Sequence, residues 1–257
     1  MMFDYLSMIT GADLPIPELQ VVLHQPTIKE IGIIGETSFY NSLSLFNVDK
    51  DKILKSYDEK IIDEVERTQA KSRLSGKANF DIIMEMVQSN PSSKYSIETI
   101  LLLVLPEFTF AIKDRFILAN SATMEQPLLI HSGNFDYLKN AIMEIFCITS
   151  AGKLDDSDYQ PGNKAAEEIA AKLRRGREKA KELNGNNSNS TSILGTYVSR
   201  LGIGSNSLNI LDIQELTVFQ LIDQMKVFGL WTQHEYNIKI ALAGAKDVEQ
   251  VDWLKSF

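Results

Sequence analysis

The sequence predicts an α+β fold, mainly helical, with a small antiparallel sheet in an N-terminal domain and a small helical unit at the C-terminal end. Three observations carry that prediction. Apolar residues recur at steps of three and four over most of the chain, as on the core-facing side of helices. Short runs rich in β-branched and aromatic residues, at 19–24, 108–112, 116–119 and 127–130, have the length of strands. A polar tract at 184–192, Asn-Gly-Asn-Asn-Ser-Asn-Ser-Thr-Ser, separates two well-patterned regions. The 257 residues, 44% of them hydrophobic, suffice for one large domain or for a medium and a small one. The pattern divides the chain into an N-terminal α+β domain at 1–150, a basic helix and polar linker at 151–192, and a small helical domain at 193–257.

Leu14-Pro15-Ile16-Pro17 holds the chain extended ahead of the strand at 19–24. Thr27-Ile28-Lys29-Glu30 is a capping box, in which hydroxyl and carboxylate satisfy each other's free amides, and Gly35 marks the end of the helix it opens. The charged stretch 49–79, with Ile53, Leu54, Tyr57, Ile61, Ile62 and Val65 at helical spacing, predicts one exposed amphipathic helix. Two more helices follow at 80–88 and 96–105, the second opened by Ser96 with Tyr95 and Ile100 spaced as a hydrophobic staple. The runs flanking Lys113-Asp114-Arg115 and the run 127–130 form the small sheet. A helix capped by Asn134, with Phe135, Leu138, Ile142, Ile145 and Phe146 on one face, closes the first domain near Ser150.

Beyond the linker, helices are predicted from 193, from a near capping box at Asp212-Ile213-Gln214-Glu215, and from a full one at Thr232-Gln233-His234-Glu235. Trp231 and Tyr236 are spaced as the staple of the last helix and Gly244 as its stop. Val218, Phe219, Leu221, Ile222, Met225 and Phe228 make a broad apolar face opposite Gln220, Asp223 and Gln224.

A net charge of −8 argues against a dedicated nucleic-acid binder, which needs a clustered positive surface. One basic strip stands out: residues 161–183 carry seven Lys/Arg and four Glu. Ala166, Ile169, Leu173, Gly176, Ala180 and Leu183 give that strip a heptad spacing with mostly small occupants, so it is weakly packed unless a partner or the sister domain covers it. Cys147, the one cysteine, sits in an apolar helical pattern and reads as a buried structural thiol. The first residues lack the charge and apolar core of a secretory signal, and the longest apolar run, 100–105, is far short of the roughly 20 residues that span a bilayer. A cytoplasmic protein without a membrane segment is expected.

No arrangement of residues points to a reaction. His24, His131 and His234 lie on separate elements without ligand-spaced partners. Asn47, Asp49 and Asp51 imitate the start of a calcium loop, but Lys52 stands where the loop needs glycine and Asp58 where it needs glutamate. Gly202-Ile203-Gly204 with Ser207 lacks the third glycine and the preceding strand of a dinucleotide fingerprint, and reads as a flexible turn. No catalytic residue, metal ligand or cofactor is therefore expected.

Three blocks together resemble a known family: Gly11-Ala12-Asp13-Leu14-Pro15-Ile16-Pro17-Glu18-Leu19 through His24-Gln25-Pro26-Thr27-Ile28-Lys29-Glu30-Ile31; the strip 161–183; and Leu216-Thr217-Val218-Phe219-Gln220-Leu221 through Leu242-Ala243-Gly244-Ala245-Lys246 and Asp252-Trp253-Leu254-Lys255. They resemble tail assembly chaperones from the tail modules of phages of Gram-positive bacteria. The resemblance implies a non-enzymatic protein of the host cell cytoplasm. Its partner would be the long, helical tape measure protein, bound before and during tail-tube polymerisation, with other tail proteins and self-association left open. Partner contact is expected at Lys172, Arg174, Arg175, Arg177 and Lys179 of the strip and at Met225, Phe228 and Trp231 of the C-terminal unit. A virion structural or adaptor protein and a nucleic-acid-binding regulator are the competing readings.

Overall fold

The computed structural model describes residues 2–60, 63–122, 126–148, 192–205 and 208–243. The fold is α+β, with two small antiparallel sheets in the N-terminal region and helices at the C-terminal end. A short helix α1 (Tyr5–Ile9) leads into a hairpin of β1 (Leu14–Ile16) and β2 (Val21–Leu23), in which Leu14 pairs with Leu23 and Ile16 with Val21. The proline-flanked extension read from the sequence is thus half of a two-stranded sheet. Gln20 turns the hairpin at φ 54°. The His24 amide then donates to the Val104 carbonyl at 2.8 Å.

Helix α2 (Ile28–Ile34) carries the expected capping box: Glu30 N–H donates to the Thr27 hydroxyl at 3.3 Å, and Thr27 N–H to the Glu30 carboxylate at 2.7 Å. Gly35, at φ 90°, ends it as predicted. Helix α3 (Glu36–Phe46) follows at once and is not part of the sequence expectation, because Ser38, Asn41, Ser42 and Ser44 interrupt its apolar period. Its Phe39, Leu43 and Phe46 are nevertheless buried.

The predicted single helix at 49–79 is two helices, α4 (Lys50–Lys60) and α5 (Glu64–Ser75). Asp63 stands between them in extended conformation and accepts from Glu66 N–H at 2.9 Å, so it starts a new helix. No residue of α5 is buried. Helix α6 (Asn79–Ser89) is followed by α7 (Pro91–Val104), which begins five residues before the Ser96 start that the sequence suggested. Asn90 caps it by accepting from Ser92 N–H at 3.0 Å, and Pro91 fills the first turn, where its missing N–H is not needed. Tyr95 is consequently mid-helix and exposed, not half of a staple.

The sheet of β3 (Phe108–Ile112), β4 (Ile117–Ser121) and β5 (Leu128–Ile130) is antiparallel in that order, as the sequence indicated. Helix α8 (Phe135–Ile145) buries Phe135, Leu138, Ile142 and Ile145. Asn134 does not cap it. Its side chain accepts from His131 N–H at 2.8 Å and donates to the Leu129 carbonyl at 2.8 Å, stitching the turn after β5. Phe39 meets Phe146 edge-on at 5.0 Å, and Phe135 meets Phe80 at 5.0 Å and Phe46 at 6.0 Å, so rings from α3, α6 and α8 interlock.

Three C-terminal helices complete the described chain: α9 (Ile193–Gly204), α10 (Ile210–Gln214) and α11 (Val218–Leu242). Leu194, Leu201, Ile213, Val218, Phe219 and Leu221 join the same buried cluster as the N-terminal residues. Asp212 does not open a helix. It is the third residue of α10, where it completes a capping box with Asn209. Gly202 and Gly204 lie within α9 and not in a turn, and each lets a neighbour approach: an added Cβ would sit 3.3 Å from Ile210 Cγ1 at the first and clash with Phe228 Cζ at the second.

Candidate partner-binding surface

Helix α11 is the element on which the sequence placed Met225, Phe228 and Trp231, and it runs unbroken for 25 residues, about 37 Å at 1.5 Å per residue. The capping box at 232–235 is therefore not used. An N-cap residue must be extended, whereas the Thr232 hydroxyl donates back to the Phe228 carbonyl at 2.8 Å, as a hydroxyl inside a helix does. The true start is Thr217, which accepts from Gln220 N–H at 3.2 Å while Gln220 accepts from Thr217 N–H at 2.8 Å.

That start is anchored from several sides. Thr217 and Thr27 form an antiparallel bridge, and Ile28 N–H donates to the Leu216 carbonyl at 2.9 Å, so the capped ends of α2 and α11 stand back to back. Gln220, assigned by the sequence to the polar side, donates its side-chain amide to the Ile9 carbonyl at 2.8 Å. The Tyr5 hydroxyl donates to Asp223 at 3.1 Å, and its ring meets Phe219 edge-on at 5.9 Å. Burial and the adjacent Asp223 carboxylate both push the Tyr5 phenol upward from its ordinary value.

Past Leu221 no residue of α11 is buried. Ile222, Met225 and Phe228 pack partly on the core, and beyond them Trp231 (42% exposed), Ile238 (46%) and Leu242 (83%) show apolar surface to water. Two grooves flank the helix. One, of about 860 Å³, is lined by Tyr5, Cys147, Phe219, Ile222, Met225 and Leu230. The other, of about 400 Å³, runs between α9 and α11 and is lined by Leu201, Leu208, Val227, Phe228 and Trp231. The structure thus separates the predicted trio: Met225 faces the first groove, Phe228 and Trp231 the second. Lys172, Arg174, Arg175, Arg177 and Lys179 lie outside the described residues, as do Gly244, the polar tract at 184–191 and the block at 252–255.

Sequence reasoning missed Tyr5 and Cys147 as neighbours of this helix, since nothing in local spacing links α1 or the end of α8 to α11. Cys147 sits just past α8 at φ 54°. Burial pushes its thiol up to about 11, with Lys226 opposing and Asp223 and Glu144 reinforcing the shift. The continuity of α11 was legible in one respect: no proline interrupts 218–242.

The lining is apolar with few polar groups, and among the described residues no three His, Cys, Asp or Glu gather as metal ligands. Asp49, from the calcium-like run, instead accepts from Asp51 N–H at 2.8 Å at the start of α4. His24 lies 3.2 Å from the Glu30 carboxylate and 3.6 Å from that of Asp13. No described helix is long and apolar enough to cross a membrane.

The geometry defines an apolar helical surface. Residues 186–257, which span α9 to α11 together with Met225, Phe228 and Trp231, match the family model described as the YomV second domain, a phage-associated family. No curated protein and no solved structure matches the chain.

Proposed function

We propose that this is a non-catalytic phage protein that holds a helical protein partner along α11, and that the partner is the tape measure protein, held during tail assembly. The observation carrying this reading is the outer part of α11, where Trp231, Ile238 and Leu242 follow one another at steps of seven and four with their apolar surface in water. Such a stripe fits an amphipathic helix laid alongside it. Its modest extent and the partly polar neighbours Glu235 and Lys239, 3.8 Å apart, suit a contact that must later release. The phage-associated match over the same residues supports the setting, and the resemblance to tail assembly chaperones supplies the partner.

Coexpression with the tape measure protein of the same phage is the test. The wild-type chain is expected to raise the amount of soluble tape measure protein, and Trp231→Lys with Ile238→Lys to abolish the gain while the variant keeps its own melting temperature. An unchanged amount of soluble tape measure protein with the wild type would reject the reading. Mass spectrometry of purified particles beside infected lysate separates the assembly role, which predicts absence from particles, from a structural or adaptor role, which predicts presence.

A further inference from the structure

A third cavity, of about 540 Å³, lies where the α3–α4 junction, α8 and α11 meet, next to the first groove, with which it shares Cys147, Phe219 and Lys226, but it is richer in charged groups. Its charged lining consists of Lys52, Lys139 and Lys226 against Asp49 and Glu144, and its apolar lining includes Met143, Ile148 and Phe219. Both acids are already engaged by backbone amides. Glu144 accepts from Met2 N–H at 2.6 Å and Phe3 N–H at 3.0 Å, and Asp49 from Asp51 N–H. Among the described residues, no carboxylate lies within ion-pair distance of any of the three lysines.

Lys139 is the unusual member, 9% exposed. Its ammonium has three N–H groups, and the bond it makes, to the Val48 carbonyl at 2.6 Å, uses one. Burial lowers its pKa, Asp136 and Asp49 counteract this, and the Lys52 charge adds to the lowering. A buried ammonium without a counter-ion is unfavourable unless something supplies the missing charge.

We propose that this cavity binds a small monocarboxylate on an apolar body, its charge held by Lys139 with Lys52 and Lys226 and its body laid on Met143, Ile148 and Phe219. The lining carries one net positive charge, which a monoanion neutralises; a phosphate dianion would overshoot it and face Asp49 and Glu144. The site is separate from the outer stripe of α11, so it stands whether or not the proposed partner binds there.

Octanoate is the probe, titrated into the full-length protein by calorimetry with the Met143 methyl resonance as the reporter of location. Expected are a dissociation constant below 1 mM, a shift of the Met143 signal, at least tenfold weaker binding in Lys139→Met, and a several-fold loss in Lys52→Gln with Lys226→Gln. The double variant changes only exposed side chains and so preserves the test if Lys139→Met does not fold. Absence of octanoate binding, equal binding of octanol, equal competition by inorganic phosphate, or full affinity in the lysine variants would each overturn the proposal.

Discussion

Glu30 serves three groups at once: it accepts from Thr27 N–H and from the Thr27 hydroxyl, and it faces His24. Burial works to raise its pKa, but the bonds from Thr27 and His24 outweigh burial, and the net shift is downward from 4.5. A carboxyl depressed in the folded state binds its proton less readily there than when unfolded. Its stabilisation is therefore complete above the unfolded value and disappears as pH falls through the folded one. Melting curves from pH 7 down to 3 should show Glu30→Gln already less stable than wild type at neutral pH and converging on it in acid. At Cys147 the consequence concerns rate. With the thiol near 11, alkylation by iodoacetamide at pH 8 should be at least tenfold slower in the native protein than in urea, because the thiolate is the nucleophile.

Two glycines of the C-terminal helices make opposite predictions. Gly204 gives its missing Cβ space to the Phe228 ring, so Gly204→Ala should destabilise by about 1–3 kcal/mol. Gly229 lies inside α11 with open space around it, and Gly229→Ala should stabilise by about 1 kcal/mol. Urea midpoints measure both. The same elements mark what the sequence disclosed. Thr27–Glu30 was legible because its box is local, and the three-stranded sheet because its runs are separated by short turns. Thr232–Glu235 misled because an identical local signal is inert when the preceding turn of helix continues through it. The trio Met225, Phe228 and Trp231 was legible as a stretch of α11, but its partition between two grooves depends on α1, α8 and α9, which no spacing along the chain connects.

At the scale of the molecule, one apolar cluster among the described residues runs from Phe3 to Leu221. Glu36, at the start of α3, accepts from Leu194 N–H at 2.9 Å and from the Ser192 hydroxyl, so an N-terminal carboxylate satisfies the open end of α9. Both tryptophans, Trp231 and Trp253, belong to the C-terminal part. Their fluorescence should accordingly fall in the same urea transition as the far-ultraviolet circular dichroism of the entire chain. Leu221→Ala should move both signals together, by about 2–5 kcal/mol.

The bridge between Thr27 and Thr217 joins positions 190 residues apart. During synthesis, the first turn of α2 emerges long before the strand of backbone that completes it. Until Leu216 leaves the ribosome, the Ile28 amide has no carbonyl to meet. The first turn of α2 thus matures only once the chain has been made through Leu216, and ribosome-bound fragments stopped short of Leu216 should be digested by protease around residue 28 while longer ones resist.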